Sequence, residues 1–168
     1  MNHQEPDLFK PIYIALGTNL GDRTENLGKA IRLLAPQVDV IAESPIYQTS
    51  PWGYEDQPDF LNQVLSVQTQ LTPVDLLEYL QEIEARVGRQ PTFHYGPRVI
   101  DLDILFFADI IVDMPGLQIP HPRLHERTFV LVPLFDLNPD FRHPVMKSTV
   151  RELLSNLEKS NITRFETA

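Results

Sequence analysis

Apolar positions along the 168-residue chain change period from segment to segment. Residues 12–16 (IYIAL) form a short continuous apolar run, which predicts a buried strand. The Gly/Asn-rich loop GTNLGDR (17–23) follows. Leu27, Ala30, Ile31 and Leu34 then recur at i, i+3, i+4 and i+7 and predict an amphipathic helix from about Thr24 to Ala35. Residues 38–48 and 60–70 predict an antiparallel strand pair whose long connection contains the loop GYEDQP (53–58). The next helix is marked at both ends. Thr72 is the expected N-cap, Pro73 suits the first helical position, Asp75 complements the dipole and Gly88 fits the C-terminal cap. Leu76, Leu77, Leu80, Ile83 and Val87 supply its buried stripe. Residues 89–97 read as a loop, 98–107 as a fourth strand and 110–112 as a short strand-like piece before the loop IPHPRLHER. A helix over 128–137 is expected to be interrupted at Pro133. A last helix is expected to start at Ser148 or Thr149, with Glu152 completing a capping box. The order β-α-β-β-α-β plus a helical C-terminal extension is the ferredoxin-like pattern: an α+β fold, one sheet with helices packed on one face.

The strand at 98–107 carries an anomaly. GPRVIDLDILFF (96–107) is a strongly apolar stretch, yet it holds Asp101 and Asp103. Burying an unpaired carboxylate costs several kcal/mol, of order ~5. Strand geometry throws residues i and i+2 onto the same face, so the two carboxylates project together, roughly 7 Å apart along the strand, while Ile100, Leu102 and Ile104 point the other way. Such a pair repels itself unless a proton or a cation intervenes. Magnesium fits, because it takes oxygen ligands, often only one or two carboxylates, and completes its shell with water and phosphate. A bare D-x-D also suits capping or pairing with Arg98 on an edge strand. Arg98, delivered by the Gly96-Pro97 turn, adds a group that binds phosphate oxygens in bidentate fashion.

Composition narrows the field. A net charge of −9 repels a polyanion, so nucleic acid is not an expected partner. Within that acidic background Arg86, Arg89, His94 and Arg98 cluster, as do His121, Arg123, His125 and Arg127, which suits a small anionic ligand. There are no cysteines, which fits a reducing cytoplasm. No apolar run approaches the ~20 residues of a membrane-spanning helix, and the start of the chain lacks a signal-peptide core, so a soluble, cytoplasmic protein is expected. The length suits one domain, residues 1–168 with a core of about 11–157, and the ends (1–10 and 158–168) read as frayed. The chain has no P-loop lysine motif and no kinase H-R-D, and GTNLGD reads as a turn-forming loop.

Five segments, IALGTNLGD (14–22), SPIYQTSPWGYEDQPDFLN (44–62), EARVGR (84–89), GPRVIDLDIL (96–105) and PHPRLHERTFVLVPL (120–134), together resemble the 6-hydroxymethyl-7,8-dihydropterin pyrophosphokinase family of folate biosynthesis. The resemblance runs from about Ile12 to Leu157. It implies transfer of the β,γ-diphosphate of ATP to the hydroxymethyl oxygen of the dihydropterin, with release of AMP; a monomer is expected. It implies two magnesium ions on Asp101 and Asp103. Arg89 and Arg98 match arginines that meet the ATP phosphates and assist closure or catalysis. Gln81, Glu84, Ile104, His121 and Arg127 match nucleotide-contacting positions, with Glu84 a candidate for the ribose hydroxyls. Thr49, Ser50, Trp52, Phe60, Asn62, Phe129 and Asp101 match the pterin pocket, Phe60 and Phe129 as stacking rings and Asn62 as reader of the ring edge.

One departure stands out. The resembled family commonly has G-R-x-R after the second helix, and here the run is Gly88-Arg89-Gln90-Pro91. An ATP-contacting charge is therefore either missing or supplied elsewhere, by His94 or Arg123. The loop 89–97 is expected to be mobile without ligands, having two prolines and little apolar surface. Two other readings compete: a metal-dependent phosphohydrolase or nuclease using the D-x-D pair, and a ferredoxin-like binding module without turnover.

Overall fold

The computed structural model describes residues 10–166. Strand β1 (Ile12–Thr18) lies in the middle of a six-stranded sheet, between β4 (Phe60–Thr69) and β5 (Asp101–Phe107). Every pairing in that sheet is antiparallel. The long strand β4 has two partners on its other side: β2 (Val38–Glu43) against its C-terminal half and β3 (Tyr47–Thr49) against its start. The expected single strand 38–48 is thus broken at Ser44-Pro45. Ser44 Oγ accepts from Val64 N at 2.9 Å and the Gln63 amide donates to Ser44 O at 3.0 Å, so the break stays fastened to β4.

Helices α1 (Arg23–Leu34) and α2 (Pro73–Val87) pack on one face of the sheet, as the ferredoxin-like order requires. Leu27, Ala30 and Leu34 of α1 and Leu76, Leu80 and Ile83 of α2 are buried there with Ile14, Leu16, Leu65, Leu102 and Ile104. Each such side chain contributes about 1.5–3 kcal/mol by leaving water. The C-terminal extension covers the opposite face. There α3 (Thr128–Leu137) and α4 (Val150–Ser155) bury Val130, Leu131, Leu134, Val150, Leu153 and Leu154 against Val64, Leu105 and Phe106. The face that carries Asp101 and Asp103 is therefore not open along its length: α3 roofs one end and leaves a cavity at the other.

Several boundaries differ from the sequence expectation. Helix α3 runs through Pro133 without a break. Pro133 lacks the N–H that would bond to Phe129, but Val130, Leu131 and Leu134 are fully packed, and that burial outweighs one missing bond. The fourth strand begins at Asp101 rather than at residue 98, because Asn19 captures the backbone of Arg98 instead. The strand-like piece at 110–112 is one arm of a hairpin, β6 (Val112–Met114) with β7 (Leu117–Ile119), turned at Gly116 with φ of 83°. The C-terminal end is not frayed over its described part: β8 (Ile162–Arg164) pairs with β3 and extends the sheet. Residues 1–9, whose expected fraying falls in the same class, lie outside the described residues.

The caps read from sequence are in place. Thr72 Oγ1 accepts from Asp75 N at 3.2 Å, Gly88 adopts φ of 119°, and Thr149 Oγ1 accepts from Glu152 N at 3.1 Å. Because α2 carries Gln81 and Glu84 toward the site, its cap is testable there. Thr72→Ala is expected to lower stability by about 1 kcal/mol, since the N-terminal amides lose an acceptor. Urea denaturation at constant m-value checks this; an unchanged midpoint would show that the cap contributes nothing.

Candidate active site

The register of the sheet builds the site floor. Gly17 on β1 lies opposite Asp101 on β5 and opposite Asn62 on β4, and Ala15 lies opposite Asp103 and Val64. Two strand spacings therefore separate Asp101 from Asn62, about 10 Å. Between them β1 presents only a hydrogen and a methyl. A Cβ at Gly17 would sit 3.4 Å from Asn62 Oδ1 and 3.9 Å from the Phe60 ring. Small residues in the centre and larger ones at both ends leave a trough, and a cavity of about 460 Å³ opens over it.

Of the fifteen residues expected at the site, all but one line this cavity. Thr49, Ser50, Trp52, Phe60, Asn62 and Phe129 form one end; Gln81, Glu84, Arg89, Arg98, Asp101, Asp103, His121 and Arg127 form the other. Ile104 lines a second cavity, of about 620 Å³, together with Asp113–Gln118 of the β6–β7 hairpin and Pro122. The two cavities share Leu77, Leu102, Asp103, Gly116 and His121, so they communicate beside the aspartate pair.

Charge at the floor is tightly organised. Arg98 Nη1 donates to Asp101 Oδ2 at 2.9 Å, and Arg89 Nη1 donates to Asp101 Oδ1 at 3.0 Å. Arg89 also pairs with Glu84. Glu84 is only 7% exposed, and its Oε2 accepts from Leu102 N at 3.1 Å. Its carboxylate therefore holds Arg89 and the β5 backbone while also lining the cavity. Burial pushes the Glu84 carboxyl up to about 7; Arg89 opposes the shift and Asp101 adds to it. Burial likewise pushes Asp103 up to about 7, reinforced by the charge of Asp101 and opposed by Arg127.

The second bank of the site comes from the segment before α3. Burial, helped by Arg127, depresses His121 to about 4, so its ring is neutral near pH 7. His121 Nδ1 accepts from Arg123 N at 3.2 Å, which places the ring hydrogen on Nε2. Arg127 Nε is buried with no hydrogen-bond partner among the described residues. An unpartnered guanidinium N–H beside an enclosed carboxylate suits an anionic ligand. At the apolar end the Asn62 amide donates to Thr49 Oγ1 at 2.7 Å, keeping a carbonyl oxygen and one N–H for a ligand.

Several residues were not read from the sequence. Asn19 of the GTNLGD loop is buried; its backbone N donates to Arg98 O at 3.0 Å and its Oδ1 accepts from Arg98 N at 2.8 Å. Asn19 Nδ2 also donates to Gln57 Oε1 at 2.8 Å, and Gln57 Nε2 donates to Tyr95 O at 2.7 Å. Three loops are thus tied together, and loop 89–97 is held at Tyr95 rather than free at every point. Nothing in the local pattern marks these amides, since their partners are 38 and 79 residues away. Of the two substitutes expected for the charge missing at Pro91, His94 lines the first cavity, whereas Arg123 lines neither and instead packs against Trp52 and Tyr95.

The chain matches the family profile described as 7,8-dihydro-6-hydroxymethylpterin-pyrophosphokinase (HPPK) over residues 13–139. It is similar to the 2-amino-4-hydroxy-6-hydroxymethyldihydropteridine pyrophosphokinases of Methylorubrum extorquens (44% identity, covering 92% of this chain and 98% of that one) and Bacillus subtilis (47%, covering 74% and 76%). It is also 41% identical to the folic acid synthesis protein of Dictyostelium discoideum, covering 87% of this chain but 22% of that longer one. In fold it is similar to a wild-type Plasmodium falciparum HPPK-DHPS crystallised with pterin and p-hydroxybenzoate: TM-score 0.73 at 19% identity, over 96% of this chain and 46% of that chain. A profile match over most of its length, and relatives of nearly the same extent at more than 40% identity, make this chain a member of the HPPK family.

Proposed function

We propose that this chain transfers diphosphate from ATP to 6-hydroxymethyl-7,8-dihydropterin, giving AMP and the pterin diphosphate. The observation that carries this reading is the division of one trough into an aromatic, amide-lined end and a charged end, about 10 Å apart across Gly17. Family membership supports the same reaction. A flat heterocycle with a donor and acceptor edge suits Phe60, Phe129 and Trp52 as walls, with Asn62 reading its edge. Triphosphate suits Arg89, Arg98, Arg127 and the neutral His121. The second cavity, reached past Asp103, suits the nucleoside, with Ile104 and the β6–β7 hairpin as its walls and Gln81 at the junction. Single-domain action is in keeping with a sheet that takes strands from residue 12 to residue 164.

The reaction forms a bond between the hydroxymethyl oxygen and the β-phosphorus, breaks the bond from that phosphorus to the α-phosphate oxygen so that AMP leaves, and releases the hydroxyl proton to solvent. Positioning and charge neutralisation are the main levers for such a transfer. Arg89 and Arg98 hold Asp101 from two sides and so fix the floor of the charged end. Glu84 orients Arg89. His121 offers Nε2–H to a phosphate oxygen without adding a second positive charge beside Arg127. Asp101 and Asp103 fit a divalent cation, because they share one face of β5 and their mutual repulsion is what raises Asp103 after burial. Two magnesium ions held there would supply Lewis-acid stabilisation of the transferring phosphates.

This reading makes two predictions. Asp101→Ala and Asp103→Ala are each expected to cut AMP release from ATP, magnesium and the hydroxymethyl dihydropterin by about 10³-fold, the scale of losing a preorganised charge-stabilising group. The circular dichroism spectrum should survive. Full activity in both variants would overturn the assignment, and steady release of inorganic phosphate without pterin would favour a hydrolase. The second prediction concerns pH. A carboxyl raised from 3.8 to about 7 holds a proton in the folded, ligand-free protein that the unfolded chain has lost. Its contribution to stability is therefore full below about pH 4 and is lost as pH rises through 7. A cation must displace that proton, so binding of preformed magnesium-ATP at pH 6.5 is expected to release protons and to weaken as pH falls. Calorimetry in buffers of different ionisation enthalpy measures this. Asp103→Asn should remove most of the buffer dependence, and an identical dependence in that variant would refute the role of Asp103.

A further inference from the structure

We propose that Arg123 is a positioning residue that clasps the loops 50–58 and 89–97 together over the aromatic end of the site. This inference rests on the pterin reading of that end. The guanidinium Cζ of Arg123 lies 4.5 Å from the centroid of the Trp52 ring, and its Nη1 donates to the Tyr95 hydroxyl. Trp52 and Tyr95 themselves meet edge to face, with centroids 5.7 Å apart. One cation therefore touches a ring from each loop, and the two rings touch each other. Arg123 Nε donates to Glu126 Oε2 at 3.1 Å, which aims the fork at the rings.

Backbone geometry on both loops serves this contact. Gly53, next to Trp52, has φ of 86°, and a Cβ there would fall 2.5 Å from the Tyr95 ring. Only glycine fits both the conformation and the approach. Tyr95 itself has φ of 60°, which non-glycine residues rarely adopt. Its carbonyl is held by the Gln57 amide and its hydroxyl by Arg123, so both ends of the residue are fastened. Arg123 lines neither cavity, whereas Trp52 and Tyr95 both line the first. Its effect on a substrate must therefore pass through those rings. Loop 89–97 has proline at position 91 where the family pattern has an arginine, and the clasp gives that loop a cationic anchor from outside its own sequence.

Trp52 is the only tryptophan in the chain, so its fluorescence reports on the clasp directly. Arg123→Ala is expected to raise acrylamide quenching of Trp52 by about twofold in the ligand-free protein, as the ring loses the nearer of its two cations and keeps only Arg127, 5.7 Å from its centroid. The KM for the pterin should rise about tenfold, equivalent to roughly 1.4 kcal/mol, with the KM for ATP within about twofold of wild type. Arg123→Lys keeps the cation but not the fork and should restore most of the quenching protection and only part of the pterin KM. In the Arg123→Ala background, Tyr95→Phe should add little to either readout. Unchanged quenching, or a rise in the ATP KM in place of the pterin KM, would overturn the clasp. Failure of the functional reading looks different: the wild-type protein would make no AMP from the two substrates, while the quenching comparison would still decide the clasp.

Discussion

Three carboxylates, Asp101, Asp103 and Glu84, face one another at the floor of a half-enclosed cavity, and the surrounding structure is arranged around their repulsion. Coulomb energy between charges a few ångströms apart grows steeply as water is excluded. The chain limits it by inserting Arg89 between Glu84 and Asp101, setting Arg98 on the other side of Asp101, and burying Asp103 so that its carboxyl is pushed up to about 7. Each arginine in turn has its own backbone support. Arg98 is clipped by Asn19, and Arg89 follows directly on the Gly88 cap of α2. The charge balance thus reaches from the first loop to the second helix.

Much of this was legible in the sequence because it depends on local rules. Period-two geometry placed Asp101 and Asp103 on one side of β5, capping residues fixed α2, and the strand order followed from element order. The face of the sheet that the C-terminal helices would cover was not legible, because α3 contains Pro133 and its apolar residues run all round it. The split of strand 38–48 was hidden for a related reason: Ser44 keeps its hydrogen bonds through a partner on β4 twenty residues away. Among the site residues carried over from the family resemblance, all but Ile104 line one cavity. Asn19, Gln57 and the contacts of Arg123 did not show, because a polar side chain in a loop looks solvated until its partner is known.

The loops and the floor divide the work. The floor is rigid, made of paired strands and small residues, and sets the distance between the aromatic and charged ends. The loops supply walls, and they meet through amides and rings rather than through apolar burial. Such contacts exchange readily with water, so walls of this kind can part to admit a heterocycle while the floor keeps its register.

Two residues of the charged end also finish the sheet. Strand β5 is an edge strand, and its outward groups are not left bare: Glu84 accepts from Leu102 N, and His121 N donates to Leu105 O at 3.0 Å. On the far side the sheet ends in the three-residue strand β8, paired with β3. An exposed strand edge is a template for pairing with other chains. Groups that line the charged end of the cavity therefore double as guards against self-association. Loss of Glu84 would then show in the solution behaviour of the protein, as a tendency to aggregate at β5, besides any effect on catalysis.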